Sequence, residues 1–335
     1  MKYLEKALKF IKIRKTLRHL LCFFRLNFTG KWRKKCGGEF RLGTDNPVMV
    51  IFFDITNLCN YECSYCFLEP YSNRPQYYNA FKCYPVDKWI ESFRVVSFDY
   101  ALTITGRETF MLKNDFPYFL ENIAAFENAK SISIVTNGSL IPKLGYPSEK
   151  VREKTTLMVS YHPTQVTLDA FVHTIDAIRA YGWRIGMFNY VMEDDQAEKY
   201  EEAKQILMEK YNIFLNASPD IRFRNKRHKI KKYLPWKDLR QKTRAITFGK
   251  LCFFPAIAYG LTAQGIAYRQ CIGGEKIDFI NNSKSLSPLK KPIACPCFKC
   301  WCFNNYAFLE NFPERGRKLD LFSEYSEQLK YEKCR

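Results

Sequence analysis

The sequence predicts an α/β protein built on a parallel, barrel-like sheet and followed by a small cysteine-rich C-terminal subdomain. Apolar, β-rich runs alternate with helical patterns from residue 48 onward, as repeated βα units do. The runs end in polar residues, and the last quarter of the chain bunches its cysteines two or three residues apart. With 335 residues, 47% of them apolar, the chain can fill one large core and carry an appendage.

Four segments follow in order: a basic N-terminal extension (1–45), a core barrel (46–220), a basic connector (221–250) and a cysteine-rich domain (251–335). Residues 1 to 28 carry an imperfect amphipathic pattern, with Leu4, Leu8 and Ile11 opposite Lys2, Lys6 and Lys9 and a phase slip between Ile13 and Leu17. The strand runs are Val48–Thr56, Tyr100–Gly106, Ser131–Asn137, Thr156–His162, Arg184–Met192 and Phe214–Pro219. Helices are expected near 86–96, 116–127, 165–181 and 194–211, the last with opposite charges at helical spacing in Asp195/Lys199 and Glu201/Lys204. The strands read almost continuously apolar, which predicts a sheet covered on both faces. In a barrel the C-terminal strand ends form the active mouth, so Asp54, Thr105, Glu108, Thr136, Ser160, His162 and Asn189 are expected to converge.

Charge is concentrated. Residues 1–45 hold 13 Lys/Arg against 3 acids, residues 221–250 hold 12 against Asp238, and the rest of the chain is nearly neutral. Such patches point to an anionic substrate, an acidic peptide or a membrane surface, or are solvated helices. No signal peptide and no stretch of about 18 apolar residues is visible. A cytoplasmic protein is expected, one whose N-terminal segment can rest on an anionic membrane surface. Bunched thiols suit metal binding better than a disulfide framework.

The stretch from Asp54 to Cys66 places Cys59, Cys63 and Cys66 within eight residues at a strand exit. Three thiolates can ligate three irons of a [4Fe-4S] cluster and leave the fourth open, whereas structural zinc asks for a fourth ligand nearby. This C-x3-C-x2-C motif, with Tyr65 before the last cysteine, resembles the radical S-adenosylmethionine (SAM) superfamily, whose fold is a partial (β/α)6 TIM-like barrel. The family's T-G-G-E-P resembles Thr105-Gly106-Arg107-Glu108-Thr109, with Arg107 and Thr109 as departures. The resemblance implies SAM contacts from Tyr65, Gly106, Arg107, Glu108, Thr136, Asn137, Ser160 and Asn189. The Glu108 carboxylate would accept from the SAM amino group. It further implies that SAM binds the open iron, that one electron from a flavodoxin- or ferredoxin-type donor cleaves it to a 5′-deoxyadenosyl radical, and that the radical takes hydrogen from a substrate. His162, at the end of a strand, is the candidate proton-handling residue.

Six cysteines lie between 252 and 302. Cys252-x12-Gly265-x5-Cys271 reads as a hairpin with a glycine turn, and with Cys297-x2-Cys300 it resembles the SPASM or twitch extensions that carry an auxiliary [4Fe-4S] cluster. Cys252, Cys271, Cys297 and Cys300 are then the ligands, with Cys295 or Cys302 as substitutes. Four thiolates also suit zinc. The families resembled leave open a sugar, lipid-linked glycan or other small-molecule substrate, dehydrogenated or epimerised, and a peptide or protein substrate. A metal- or nucleic-acid-binding protein without catalysis stands as the reading of another class. Iron and sulfide counting on reconstituted protein is expected to find about eight irons per chain; about four means that the tail holds no cluster.

Overall fold

The computed structural model describes residues 40–42, 46–63, 66, 78–143, 145–192, 197–213, 215–219, 251–270, 273–295 and 329–331. The strands are β1 (Phe40–Leu42), β2 (Met49–Thr56), β3 (Tyr100–Gly106), β4 (Ala129–Thr136), β5 (Thr155–Tyr161), β6 (Ile185–Met192), β7 (Leu215–Pro219), β8 (Leu251–Cys252), β9 (Ala258–Thr262), β10 (Ile266–Arg269), β11 (Gly273–Asp278), β12 (Ile293–Ala294) and β13 (Leu329–Tyr331). The helices are α1 (Ala80–Cys83), α2 (Val86–Arg94), α3 (Asp115–Ala125), α4 (Glu149–Lys154), α5 (Leu168–Ala180), α6 (Ala197–Tyr211), α7 (Phe254–Ile257) and α8 (Phe279–Asn282). They group into two units, one from Asn46–Asp238 with Ile257–Pro288, the other from Met1–Asp45, Leu239–Ala256 and Leu289–Arg335.

The first unit is an α/β fold on a nine-stranded sheet in the order β11-β10-β9-β2-β3-β4-β5-β6-β7. From β9 to β7 every neighbouring pair is parallel, and the β9-β10-β11 end is antiparallel. The six strands expected from the sequence are β2 to β7. Three more join them because the segment after 257 turns back at Gly265, whose φ of +76° suits a residue without a Cβ, and β9 then pairs with the free edge of β2. Among the described residues β11 and β7 stay at opposite ends of the sheet and do not pair.

One face of this sheet is apolar and covered. Phe53, Ile104, Ile134 and Leu157 form a register row, all fully buried, and the next row on the same face pairs Thr136, Val159 and Phe188. Against this face α2 buries Trp89, Ile90 and Phe93, and α3 buries Phe116, Phe119, Leu120 and Ile123, the helical spacing of an amphipathic stripe. Phe53 is the hub, its ring 4.7 Å from Trp89 and 6.1 Å from both Phe93 and Phe119. Farther along, Phe171 of α5 meets Tyr161 and Phe188, and Tyr200 of α6 meets Tyr190. Local chemistry starts these helices where they are needed. Thr167 caps α5 by accepting from Ala170 N–H, Ser148 caps α4 through Val151 N–H, and α2 carries Asp87 in its first turn and Arg94 in its last.

The opposite face of the sheet also buries residues, Val50, Ala101, Thr103 and Met158 among them. Every described helix with ring contacts to the sheet lies on the Phe53 face, and the opposite positions alternate away from it: Ser131 and Ser133 against Ile132 and Ile134 on β4, and Thr103 and Thr105 against Leu102 and Ile104 on β3. The physical reason is the curvature of a barrel-like sheet, which places helices outside and leaves the concave side to smaller, polar residues.

In the second unit β8 pairs antiparallel with β12, setting Cys252 opposite Ile293, and β1 pairs antiparallel with β13. Replacing Phe53 by alanine should cost about 3–5 kcal/mol of stability, measured by urea denaturation; a loss below about 1 kcal/mol would remove the ring from its place at the centre of the core.

Candidate functional site

The loop after β2 carries Cys59, Cys63 and Cys66, all half-buried, and is tied to the ends of three neighbouring strands. From β3, Arg107 N–H donates to Thr56 O at 3.1 Å and Glu108 N–H to Leu58 O at 2.9 Å. This approach requires Gly106: its φ is +147°, and a Cβ there would lie 2.4 Å from Thr56 O. From β4, Asn137 Nδ2 donates to Asn60 Oδ1 at 3.0 Å, and Asn60 Nδ2 donates to Ser139 Oγ at 2.9 Å. From β5, Glu62 N–H donates to Gln165 Oε1 at 3.1 Å, and His162 Nδ1 lies 3.5 Å from Cys63 Sγ. The returning chain is held too, since Tyr78 N–H donates to Asn57 Oδ1 and Tyr78 OH to Asp54 Oδ2, each at 2.9 Å.

Glu108 lies beneath this loop, fully buried. Phe110 N–H donates to its Oε1 at 3.2 Å, Thr136 Oγ1 lies 2.8 Å and 3.0 Å from its two oxygens, and Asn137 N–H donates to Oε2 at 2.7 Å. The sequence reading expected this carboxylate to face a cofactor. The structure turns it inward, because it caps the 3-10 turn Thr109–Leu112 and satisfies the backbone of the β4 exit. Thr136 is likewise turned to the buried side and accepts from Gly138 N–H at 2.9 Å. Burial raises the Glu108 carboxyl from its ordinary 4.5 to about 7, against the opposing pull of these donors.

Burial pushes the Cys59 thiol up; Tyr61 N–H, donating to its Sγ at 3.3 Å, pulls it down, and Glu108 and Arg107 act in opposite senses. His162 meets Tyr61 edge to face, ring centroids 5.7 Å apart, and burial lowers its imidazole to about 4, leaving it neutral at pH 7. Ser160 and Asn189 form one row with Asn216 on the face opposite Phe53, where Asn216 Nδ2 donates to Asn189 Oδ1 at 3.1 Å. The Asn189 amide nitrogen is thereby directed away from that carbonyl contact.

Cys59, Cys63, Cys66, Gly106, Arg107, Glu108, Thr136, Asn137 and His162 thus belong to one hydrogen-bonded neighbourhood, with Ser160 and Asn189 on the face opposite Phe53. The thiols offer the right donor chemistry for iron, although among the described residues no three Cys, His, Asp or Glu side chains are gathered into a formed metal site. Of the second cysteine group, Cys252 and Cys295 are buried in the β8/β12 unit. Tyr65, Cys271, Cys297 and Cys300 lie outside the described residues, as do Cys302, the 221–250 connector and residues 1–39. Asn60, Tyr78, Ser139 and Gln165 were missed, because their partners lie from 21 to 103 residues away and no spacing rule marks them.

No protein-family model matches the chain, and no curated protein matches it. Solved structures with a measurable likeness include a histidine-tagged anSMEcpe with bound AdoMet at TM-score 0.48 and 15% identity, covering 70% of this chain and 74% of that one. Streptococcus suis SuiB bound to S-adenosylmethionine gives 0.38 and 14%, covering 71% and 64%. BtrN in complex with AdoMet and 2-DOIA gives 0.34 and 14%, covering 71% and 84%. None of these values assigns a function.

Because the folded Glu108 carboxyl binds its proton more tightly than the unfolded one, its contribution to stability is fully present below about pH 4.5 and is lost as pH rises through about 7. Urea unfolding across that window should show this decline in the wild type and a flatter profile in Glu108→Gln; parallel profiles would mean that the carboxyl does not titrate there.

Proposed function

We propose that this chain is a radical SAM enzyme acting on a small, hydroxyl-bearing substrate, a sugar or a sugar-like compound, by dehydrogenation or epimerisation. The observation that carries the reading is the cysteine loop itself: three thiols in a C-x3-C-x2-C spacing, pinned by hydrogen bonds to the C-terminal ends of β3, β4 and β5. A flexible thiol-rich loop would have no need of so many staples. A loop that must hold a redox group at the mouth of a barrel does, since misplacement by about 1 Å can cost about 10²-fold in rate.

In this reading Cys59, Cys63 and Cys66 would hold a [4Fe-4S] cluster, with SAM at the open iron. When bound, the pair supplies hydrogen-abstracting power after one-electron reduction by a flavodoxin- or ferredoxin-type donor. The protein's own part is positioning. Asn137 and Ser139 orient Asn60 within the loop, Gln165 holds Glu62 from the other side, and Glu108 locks the β3 and β4 exits beneath them. Ser160 and Asn189 present polar groups where a cofactor's ribose or carboxylate can be held, with Asn216 fixing the Asn189 amide. His162, neutral and against Cys63, packs the thiol side of the loop and is the proposed proton-handling group.

Cys252, Cys271, Cys297 and Cys300 are proposed to hold an auxiliary [4Fe-4S] cluster, with Cys295, buried in the same unit as Cys252, as the substitute ligand. Among the described residues no helix is long and apolar enough to cross a membrane. A cytoplasmic location with N-terminal contact to an anionic membrane surface fits the basic extension.

Protein reconstituted with iron and sulfide and reduced with dithionite should convert SAM to 5′-deoxyadenosine and methionine. The Cys59/Cys63/Cys66→Ala triple variant should fall to the protein-free background, and activity retained in that variant would overturn the proposal.

A further inference from the structure

The turn that follows β5 grips the second cysteine of the loop from two side chains. His162 O accepts from Gln165 N–H at 2.9 Å and from Val166 N–H at 3.1 Å, which closes residues 162–166 into one turn. From this turn Gln165 Nε2 donates to Glu62 O at 3.3 Å, while its Oε1 accepts from Glu62 N–H at 3.1 Å. A side-chain amide thus satisfies both backbone groups of Glu62, as a neighbouring strand would, and fixes the residue directly before Cys63. Cys63 O accepts in turn from Cys66 N–H at 3.0 Å.

The second side chain is the His162 imidazole. Its Nδ1 lies 3.5 Å from Cys63 Sγ, within hydrogen-bonding reach of a sulfur, and its ring meets Tyr61 edge to face, 5.7 Å between centroids and 82° between planes. Gln165 on the backbone and Tyr61 on the ring therefore hold sulfur and imidazole in register with each other. A neutral imidazole carries its one ring proton on Nδ1 or on Nε2. A cysteine that ligates metal is a thiolate, which accepts a hydrogen bond and has no proton to give, so this contact selects the Nδ1–H form. Cys59 is met differently, its Sγ accepting from the backbone N–H of Tyr61 at 3.3 Å. A backbone donor is the same whatever the residue; at Cys63 the donor is a side chain, and its strength depends on which residue stands at 162.

We infer that His162 donates its Nδ1–H to the Cys63 sulfur and thereby raises the reduction potential of the iron-sulfur group that the loop holds. The inference rests on the cluster reading proposed above. One-electron reduction adds negative charge to the iron-sulfur group and its thiolates, and a donor aimed at one of those sulfurs stabilises the reduced form more than the oxidised one. The electron comes from the external donor already proposed, and no bond to His162 forms or breaks. His162 is in this respect a positioning residue that acts through Cys63, and the proton-handling role proposed for it falls to Nε2.

The test is a redox titration of the full chain reconstituted with iron and sulfide, followed by electron paramagnetic resonance, without SAM or substrate. The signal of the loop is the one that the Cys59/Cys63/Cys66→Ala triple variant lacks. His162→Phe, which removes the donor, should shift the ratio of reduced to oxidised protein about tenfold toward the oxidised form at a given potential, a midpoint lower by about 59 mV for one electron. His162→Asn places an amide nitrogen where Nδ1 stood and should stay within about twofold of wild type. His162→Gln carries its amide one bond farther out and should fall with the phenylalanine variant; being polar and close to histidine in size, it also decides the matter if His162→Phe does not fold. A midpoint unchanged in the glutamine and phenylalanine variants overturns the inference, and so does an asparagine variant that falls with them, since packing and not the donor would then be at work. A wild type that assembles no loop signal sinks the cluster reading and this inference together, whereas a loop signal indifferent to residue 162 sinks this inference alone.

Discussion

Burial of the row Phe53, Ile104, Ile134 and Leu157 against helices on one side of the sheet is the constraint from which the rest follows. Side chains alternate along a strand, so packing one set of positions against helices commits the other set to the opposite face. Phe53 goes in among Trp89, Phe93 and Phe119, and Phe52 and Asp54 must therefore go out. The opposite face carries Thr103, Ser133, Ser160 and Asn189 beside apolar Val50, Phe52, Ala101 and Met158.

The same commitment explains how the cysteine loop is held. Strand ends in a parallel sheet leave backbone groups without ladder partners, and side chains must supply them. Glu108 does this for the turn after β3 and the exit of β4 at once, at the expense of burying a carboxyl that burial pushes up to about 7. Because Thr136 and the Asn137 N–H are engaged below, the Asn137 side chain is left to work above, on Asn60. One buried acid thus divides a short T-N-G segment between a structural role and a loop-holding role.

Much of this was legible in the residues. Six strands and four long helices stand where apolar periodicity places them, and their ends shift by three residues or fewer. The cysteine spacing marked the loop, and Gly265 marked the hairpin. The Ser-Ile-Ser-Ile alternation in β4 is a period-two signal that separates the two faces of the sheet, diluted by the β-branched threonines of β3 and β5, which suit either side. Glu108 was legible as a site residue but not in its orientation, since burial of a carboxylate depends on donors such as Thr136 and Asn137 that arrive from another strand.

By itself, then, the sequence determined the class of fold, the order of its βα units and the thiol-bearing loop, because these rest on local periodicity and short spacing. Only the tertiary structure decided that β9, β10 and β11 extend the same sheet, that Glu108 faces inward, that Asn60, Ser139 and Gln165 hold the loop, and that Thr103, Ser133 and Thr156 share one row. Each of those facts depends on pairing between segments tens of residues apart. Register across a sheet is set by packing of the whole layer, which no stretch of chain encodes alone.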